Sequence, residues 1–404
     1  MIIPVIPRNQ THHFPGQFLF LLRCIIASPP DSTIEDFERV IANRFSVPYG
    51  IAYASARSAT RALLNALNYP QGAKILLPSL NYPAIPMTIH TLGCRIQWVP
   101  NDEKDLSPDL GAIAAKDLKD AVAMICPHYF GFPAPMDTIK QFCDRNDLDL
   151  IEDCAHAMGA GYDGKPAGSF GRAAFVSFET SKMLNTFGGG MILTSDTSLS
   201  EKLLENRSAL PQRSYRSIFK GIIKSYLEWI ITNRWVFSMT IYPLIYKAKV
   251  TGKEDFLEEG LHGPAPREIA RYSPLQAAAG LRQNNYFNRN LNELRRQWSA
   301  IQRILNDEGM GFSIDPKGEP NGYMTAGIHH DVGAISAAFY RRGIDVKRHY
   351  MHDCRKLGIG AGGERCPELA EKLFHIPTRT DLSERSFSSY LSVIKDVLRN
   401  FQTR

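Results

Sequence analysis

Between residues 50 and 210 the chain alternates short apolar runs with amphipathic stretches. Gly50–Ala54, Lys74–Leu77, Arg95–Val99, Ala121–Cys126 and Leu148–Ile151 read as strands. Ser58–Leu67 and Pro135–Arg145 read as helices between them, and Gly171–Ser177 and Met191–Thr194 add two further strands. Apolar strands separated by amphipathic helices predict an α/β fold with a mostly parallel mixed sheet covered on both faces. The rhythm breaks at 216–249, where large apolar and aromatic residues predominate, and a polar linker follows from Lys249 to Pro266. A long helix is predicted over Pro274–Leu305, and strands and helices alternate again beyond about 310. The expected organisation is a large domain over 1–305, with 216–265 as a hydrophobic insertion and linker, and a small α/β C-terminal domain over 306–404.

Composition narrows the class without choosing a function. The 404 residues are 44% hydrophobic and 22% charged, as in an ordinary globular enzyme. A net charge of +6 suits an anionic substrate or surface, but no run of Lys/Arg interleaved with aromatics points to nucleic acid. The seven cysteines lack CxxC spacing, which reads as reduced, cytoplasmic thiols. The apolar stretch Phe18–Ile26 is interrupted by Arg23 and lacks the flanks of a secretion signal.

The candidate chemistry centres on Lys182, which lies between Ser177 and the glycine run Gly188-Gly189-Gly190. Asp153 follows an apolar strand in Ile151-Glu152-Asp153-Cys154-Ala155-His156. A lysine able to condense with an aldehyde and an acid able to hold a pyridinium nitrogen are the main needs of a pyridoxal phosphate (PLP) site. Taken singly, Lys182 reads as a surface lysine, Asp153 as a helix cap and Ser177 as a turn residue. Ser55-Ala56-Arg57-Ser58 opens a helix, where N–H groups favour an anion and Arg57 can add a bidentate contact; an ordinary N-cap is the plainer reading. Tyr82 follows a strand and can stack on a ring or simply pack on the core. Gly358–Gly363 matches G-x-G-x-x-G without a preceding apolar strand, so it reads as a surface loop. Cys154 and His156 are too few for a metal site.

Together these residues resemble the DegT/DnrJ/EryC1/StrS family of sugar aminotransferases, across roughly 30–395. Ala54–Ala66 resembles the family's phosphate-helix start and Pro78–Pro83 its P-S-[LF]-T-[WYF] segment. Pro127–Gly131 resembles V-H-L-Y-G, Glu152–Ala160 resembles E-D-A-A-[QH]-A-x-G-A, and Ser177–Lys182 resembles S-F-H-x-x-K. Gly343-Ile344 through His349-Tyr350 resembles the C-terminal G-I…H-Y motif near the substrate. The departures are Glu179 in place of His, Phe187 in a usual G-E-G-G, and Arg57 in place of Thr.

The resemblance implies PLP fold type I, with Lys182 bonded to the cofactor and Asp153 on its pyridine nitrogen. His156 then lies by the ring hydroxyl, Tyr82 on the ring face, and Ser177, Arg57 and Ser58 at the phosphate. Arg271, just before Ser273-Pro-Leu-Gln, is expected to serve the phosphate of a second subunit, giving a homodimer with composite sites. It implies amino transfer, with glutamate as the suggested donor, to a nucleotide-linked keto-sugar. A membrane-surface aminotransferase using a lipid-linked or amphiphilic ketone stays open, because 216–249 is so apolar and is flanked by cations. A helical hairpin in a membrane interface and burial against a partner subunit fit that segment equally. A non-catalytic regulator on a PLP fold is the alternative of another class.

Overall fold

The computed structural model describes residues 4–250 and 270–401, so most of the polar linker lies outside the described residues. Eight strands form the main sheet. In spatial order they are Tyr49–Tyr53, Gly190–Thr194, Ala173–Ser177, Asp149–Asp153, Ala121–Pro127, Lys74–Pro78, Arg95–Val99 and Ala361–Gly362. Only Gly190–Thr194 runs against its neighbours. The central strands are apolar on both faces, as a covered parallel sheet requires. One face packs Phe37, Phe45, Phe178 and Phe287; the other packs Leu63, Ile89, Ile125 and Phe175.

The long helix spans Pro274–Asp307 and is capped by the Ser273 hydroxyl, which accepts from the Gln276 N–H at 3.2 Å. Its Gly280 is a close-packing point, since a Cβ there would overlap the Phe37 ring. The same helix ends in a second core, where Ile301 and Leu305 meet Phe339, Phe374 and Ile394. A three-stranded sheet of Thr325–Ile328, Leu373–Ile376 and Lys347–Arg348 lies there, with helices Val332–Arg341 and Glu384–Arg399. Ile6 joins this core and bridges to Ile344, so both ends of the chain contribute to it.

Two findings depart from the sequence expectation. Gly358–Gly363 is not merely a surface loop: Ala361–Gly362 pairs in parallel with Gln97–Trp98 and closes the sheet edge. The Trp98 Nε1–H donates to the Ile359 carbonyl at 3.0 Å, a tertiary contact that no local pattern signals. The segment 216–249 is not a two-helix hairpin. It forms three helices, Tyr215–Ile231, Arg234–Met239 and Ile241–Val250. The last of them stacks Tyr242 on Tyr340 of the Val332–Arg341 helix, with ring centroids 4.7 Å apart.

Candidate active site

Asp153 ends its strand, and the Ser177 strand lies beside it in parallel register, bringing two of the expected residues to neighbouring strand ends. Ligands in such sheets gather beyond these carboxyl ends. Ser177 also pairs with Gly190 on the antiparallel strand. Gly190 in turn abuts the first turn of the Ala56–Leu67 helix, where a Cβ would overlap the Ala56 backbone. The glycine therefore lets a helix N-terminus approach Ser177. Ser55 caps that helix, its hydroxyl accepting from the Ser58 N–H at 3.1 Å. Ser58 is buried and Arg57 half-buried on the same turn.

Lys182 projects from the turn that joins Ser177 to Gly190. Its N–H bonds the Glu179 carbonyl at 2.9 Å, so Glu179 contributes backbone here. The ε-amine donates to the Tyr350 hydroxyl at 3.2 Å and lies 5.4 Å from the centre of the Tyr323 ring. The turn is held rigidly. The Gln276 side chain donates to the carbonyls of Thr186 and Gly188, each at 2.8 Å, and the Tyr272 hydroxyl donates to the Thr186 hydroxyl at 2.5 Å. Phe187 sits in the left-handed region at φ 61°, an uncommon conformation that these contacts enforce.

His156 lies 3.1 Å through Nε2 from the same Tyr350 hydroxyl. The Phe130 N–H reaches its Nδ1 at 3.4 Å, an arrangement that leaves the ring proton on Nε2. Burial, together with the nearby charge of Lys182, pushes the His156 pKa well below its ordinary value and keeps the ring neutral. Burial also pushes the Asp153 carboxyl up, although the Ala155 N–H, which donates to it at 2.9 Å, and the charge of Lys182 pull the other way.

Tyr82 is partly exposed in the loop before the Ala84–Thr91 helix, close enough to Tyr350 to help raise its pKa after burial and the opposing Tyr323 contact. Arg271 is anchored within its own chain, its backbone bridging Tyr53 and Gln212, while its buried Nε has no hydrogen-bond partner among the described residues. His349 and Tyr350 diverge. His349 has φ 51° and lines a cavity of about 200 Å³ with Pro83, His352 and Glu371, so it does not join Tyr350 at Lys182.

Sequence reasoning missed several groups. Tyr323 donates to the Ser181 carbonyl at 3.1 Å, and Asn321 donates to the carbonyls of His156 and Met158 at 2.7 and 3.0 Å. Buried Glu152 accepts from the N–H groups of Gly168, Phe170 and Gly171 and from His128. His128, Glu152 and Cys154 lie close enough to resemble a metal site. The His128 Nδ1 nevertheless accepts from the Ala134 N–H at 3.1 Å, so both ring nitrogens are already engaged and the cluster braces two strand ends.

Similar proteins share this architecture. TlmJ, an aminotransferase from Streptoalloteichus hindustanus, superposes with a TM-score of 0.75 at 16% identity, covering 98% of this chain and 100% of that one. DesI, solved with its TDP-sugar product, gives 0.72 at 18% identity over 100% and 95%. The fold is thus that of the sugar aminotransferases, a large α/β unit of PLP fold type I with a small one. Residues 29–218 match the DegT/DnrJ/EryC1/StrS aminotransferase family. GDP-perosamine synthase of Caulobacter vibrioides is 33% identical over 45% of this chain and 50% of its own length. A dTDP-3-amino-3,6-dideoxy-alpha-D-galactopyranose transaminase of Aneurinibacillus thermoaerophilus is 33% identical over 47% and 52%. The chain spans about half the length of the curated relatives it matches.

The family implies PLP, and the residues present fit it. Asp153 is a desolvated carboxyl that takes the Ala155 N–H, and a cationic ring nitrogen would offset its burial. The helix start at Ala56, brought to Ser177 by Gly190, offers N–H groups to a phosphate.

Proposed function

We propose that this protein is a PLP-dependent aminotransferase that passes an amino group from a donor such as glutamate to a nucleotide-linked keto-sugar in two half-reactions. The observation that carries this reading is the convergence of Lys182, Asp153, His156 and Ser177 on one set of strand ends. PLP, when bound, supplies the aldehyde that takes up the amino group and the electron-poor ring that stabilises a carbanion. Lys182 holds the cofactor between turnovers and, once released, carries a proton to and from the substrate carbon. The Tyr350 hydroxyl accepts from both the Lys182 ε-amine and the His156 Nε2–H, so it holds the amine in place at the end of a fixed tyrosine–histidine pair. Asp153 would keep the pyridine nitrogen protonated, and Ser177 with Arg57 and Ser58 would hold the phosphate. Tyr82 would stack on the cofactor ring. His349, lining the adjacent cavity, contacts the distal part of the acceptor.

The working unit is a cytoplasmic homodimer with composite sites, in which the Arg271 Nε, without a partner among the described residues, serves a phosphate across the interface. Borohydride reduction of the PLP-loaded protein followed by peptide mapping tests the central assignment. A pyridoxyl group on Lys182 is expected. A label on any other lysine, or none despite PLP binding, overturns it.

A further inference from the structure

All but three of the large apolar side chains exposed among the described residues lie in 17–26 or 215–250; the exceptions are Tyr82, Leu204 and Leu357. Such concentration marks an interaction surface, since scattered exposure is the norm. Helices Gln17–Ile26 and Tyr215–Ile231 bury their inner rows in one shared cluster, where Leu21, Phe20 and Cys24 meet Ile218, Ile222 and Tyr226. Their outer rows are left exposed.

Those outer rows are ordered. On the longer helix Tyr215, Phe219, Ile223 and Leu227 recur every four residues, and all four are exposed. Arg216, Lys220 and Lys224 form a second exposed row one position further on. Residues four apart share a helix face, so an apolar row and a cationic row run side by side. The shorter helix adds Phe18, Leu19, Leu22, Ile25 and Ile26 around Arg23. The two helices together contain one acidic residue, Glu228, paired with Lys224 at 3.7 Å.

We propose that this two-helix face docks on an anionic phospholipid bilayer, with both helices lying in the interface plane. Among the described residues no helix is long and apolar enough to cross a membrane, so the attachment is peripheral. The apolar row enters the boundary between headgroups and acyl chains, and the cations meet lipid phosphates. Charge decides against a second copy of the chain as occupant. A two-fold contact would set this face on itself, and one carboxylate cannot answer the cations on each side.

The surface is wired to the site. Ser225, buried on the inner side of the longer helix, accepts from the Asn185 side chain at 2.8 Å, and a Cβ on Gly221 would overlap the Phe187 carbonyl. Asn185 and Phe187 belong to the Lys182 turn, so docking bears directly on that turn.

Flotation of the full-length protein with phosphatidylglycerol-containing vesicles, against phosphatidylcholine vesicles, tests the proposal. Binding to the anionic vesicles and its loss at high salt are expected. The F219S/I223S/L227S variant should bind about tenfold less, and K220E/K224E should bind less at low salt. Both variants alter exposed positions, and circular dichroism confirms their folding. A wild-type protein that stays in the aqueous fraction overturns the proposal. So does an F219S/I223S/L227S variant whose dimer falls apart in light scattering, because the face would then be a subunit interface. The readout involves no turnover, so it is independent of the aminotransferase reading.

Discussion

The Asn185 side chain donates to the buried Ser225 hydroxyl at 2.8 Å, and His13 Nε2 lies 2.9 Å from that same hydroxyl. One serine thus joins the Lys182 turn, the apolar helix and the N-terminal segment. Replacing it with alanine leaves the Asn185 amide and the His13 ring short of a partner. Unpaired buried groups cost about 1–3 kcal/mol. Ser225→Ala is expected to lower the unfolding midpoint and to slow amino transfer more than it weakens PLP binding. Denaturant melts and half-reaction rates check this. Unchanged rates with unchanged stability would mean the junction transmits nothing to the turn.

Asp153→Asn replaces the carboxylate by a neutral amide of the same shape. The protein should fold and bind PLP, since the Ala155 contact survives as an N–H to amide oxygen bond. Turnover should fall by about a hundredfold or more, the scale of losing one preorganised electrostatic partner. Steady-state rates near wild type would reduce Asp153 to a structural role.

Tyr350→Phe removes only the hydroxyl that Lys182 and His156 share. The ring remains for Lys347, whose Nζ lies 3.8 Å from its centre, so the fold should be preserved. The lysine–cofactor bond should still form, whereas proton transfer should slow by roughly ten- to a hundredfold, within the range of general acid–base catalysis. Stopped-flow absorbance separates the two steps, and equal loss in both would show that Tyr350 positions the cofactor instead.

What the sequence made legible follows from where the chemistry sits. Asp153, Ser177 and Lys182 lie at or just beyond ends of regular strands, so the apolar rhythm locates them. Tyr323 and Asn321 come from a distant segment and meet His156 only through tertiary packing, which no local period records. His349 and Tyr350 look equivalent as neighbours, yet the left-handed backbone at His349 aims them apart. The Phe18–Ile26 stretch drew attention only as a would-be secretion signal, because its packing through Leu21 against the distant Tyr215–Ile231 helix is recorded by no local period. The order Ser177, Lys182, Gly190 was readable; the bracing of that turn was not, because Tyr272 and Gln276 arrive from the start of the Pro274–Asp307 helix and Ser225 from the Tyr215–Ile231 helix.

If the sites are composite, a mixture of Arg271→Ala and Lys182→Ala subunits should recover activity that neither has alone. One mixed dimer carries one site with both residues intact. Activity should approach a quarter of wild type after random exchange of equal amounts, because about half the dimers are mixed and each keeps one of two sites. Inactive mixtures in which exchange is proven by differently tagged subunits would place Arg271 in the site of its own chain.

His375 supplies a prediction about acid. It is buried beside Phe130, ring centroids 4.3 Å apart, and both of its ring nitrogens lack a hydrogen-bond partner among the described residues. Burial first, and then the charge of Lys347, lowers its pKa from 6.5 to about 3. An unfolded chain takes up this proton near pH 6.5, whereas the folded one does not until about pH 3. The unfolded state therefore binds more protons within that window, and stability contributed by neutral His375 is present above pH 6.5 and lost as pH falls toward 3. His12, lowered by burial to about 4, acts in the same direction. Each such histidine steepens the acid limb by up to about 1.4 kcal/mol per pH unit. His375→Phe removes one titrating group while keeping an apolar ring against Phe130. Denaturant melts between pH 7 and 4 should therefore show a shallower decline for this variant, with the difference closing above pH 7. Parallel curves for the two proteins across that range would mean that His375 is already protonated, or solvated, in the folded state.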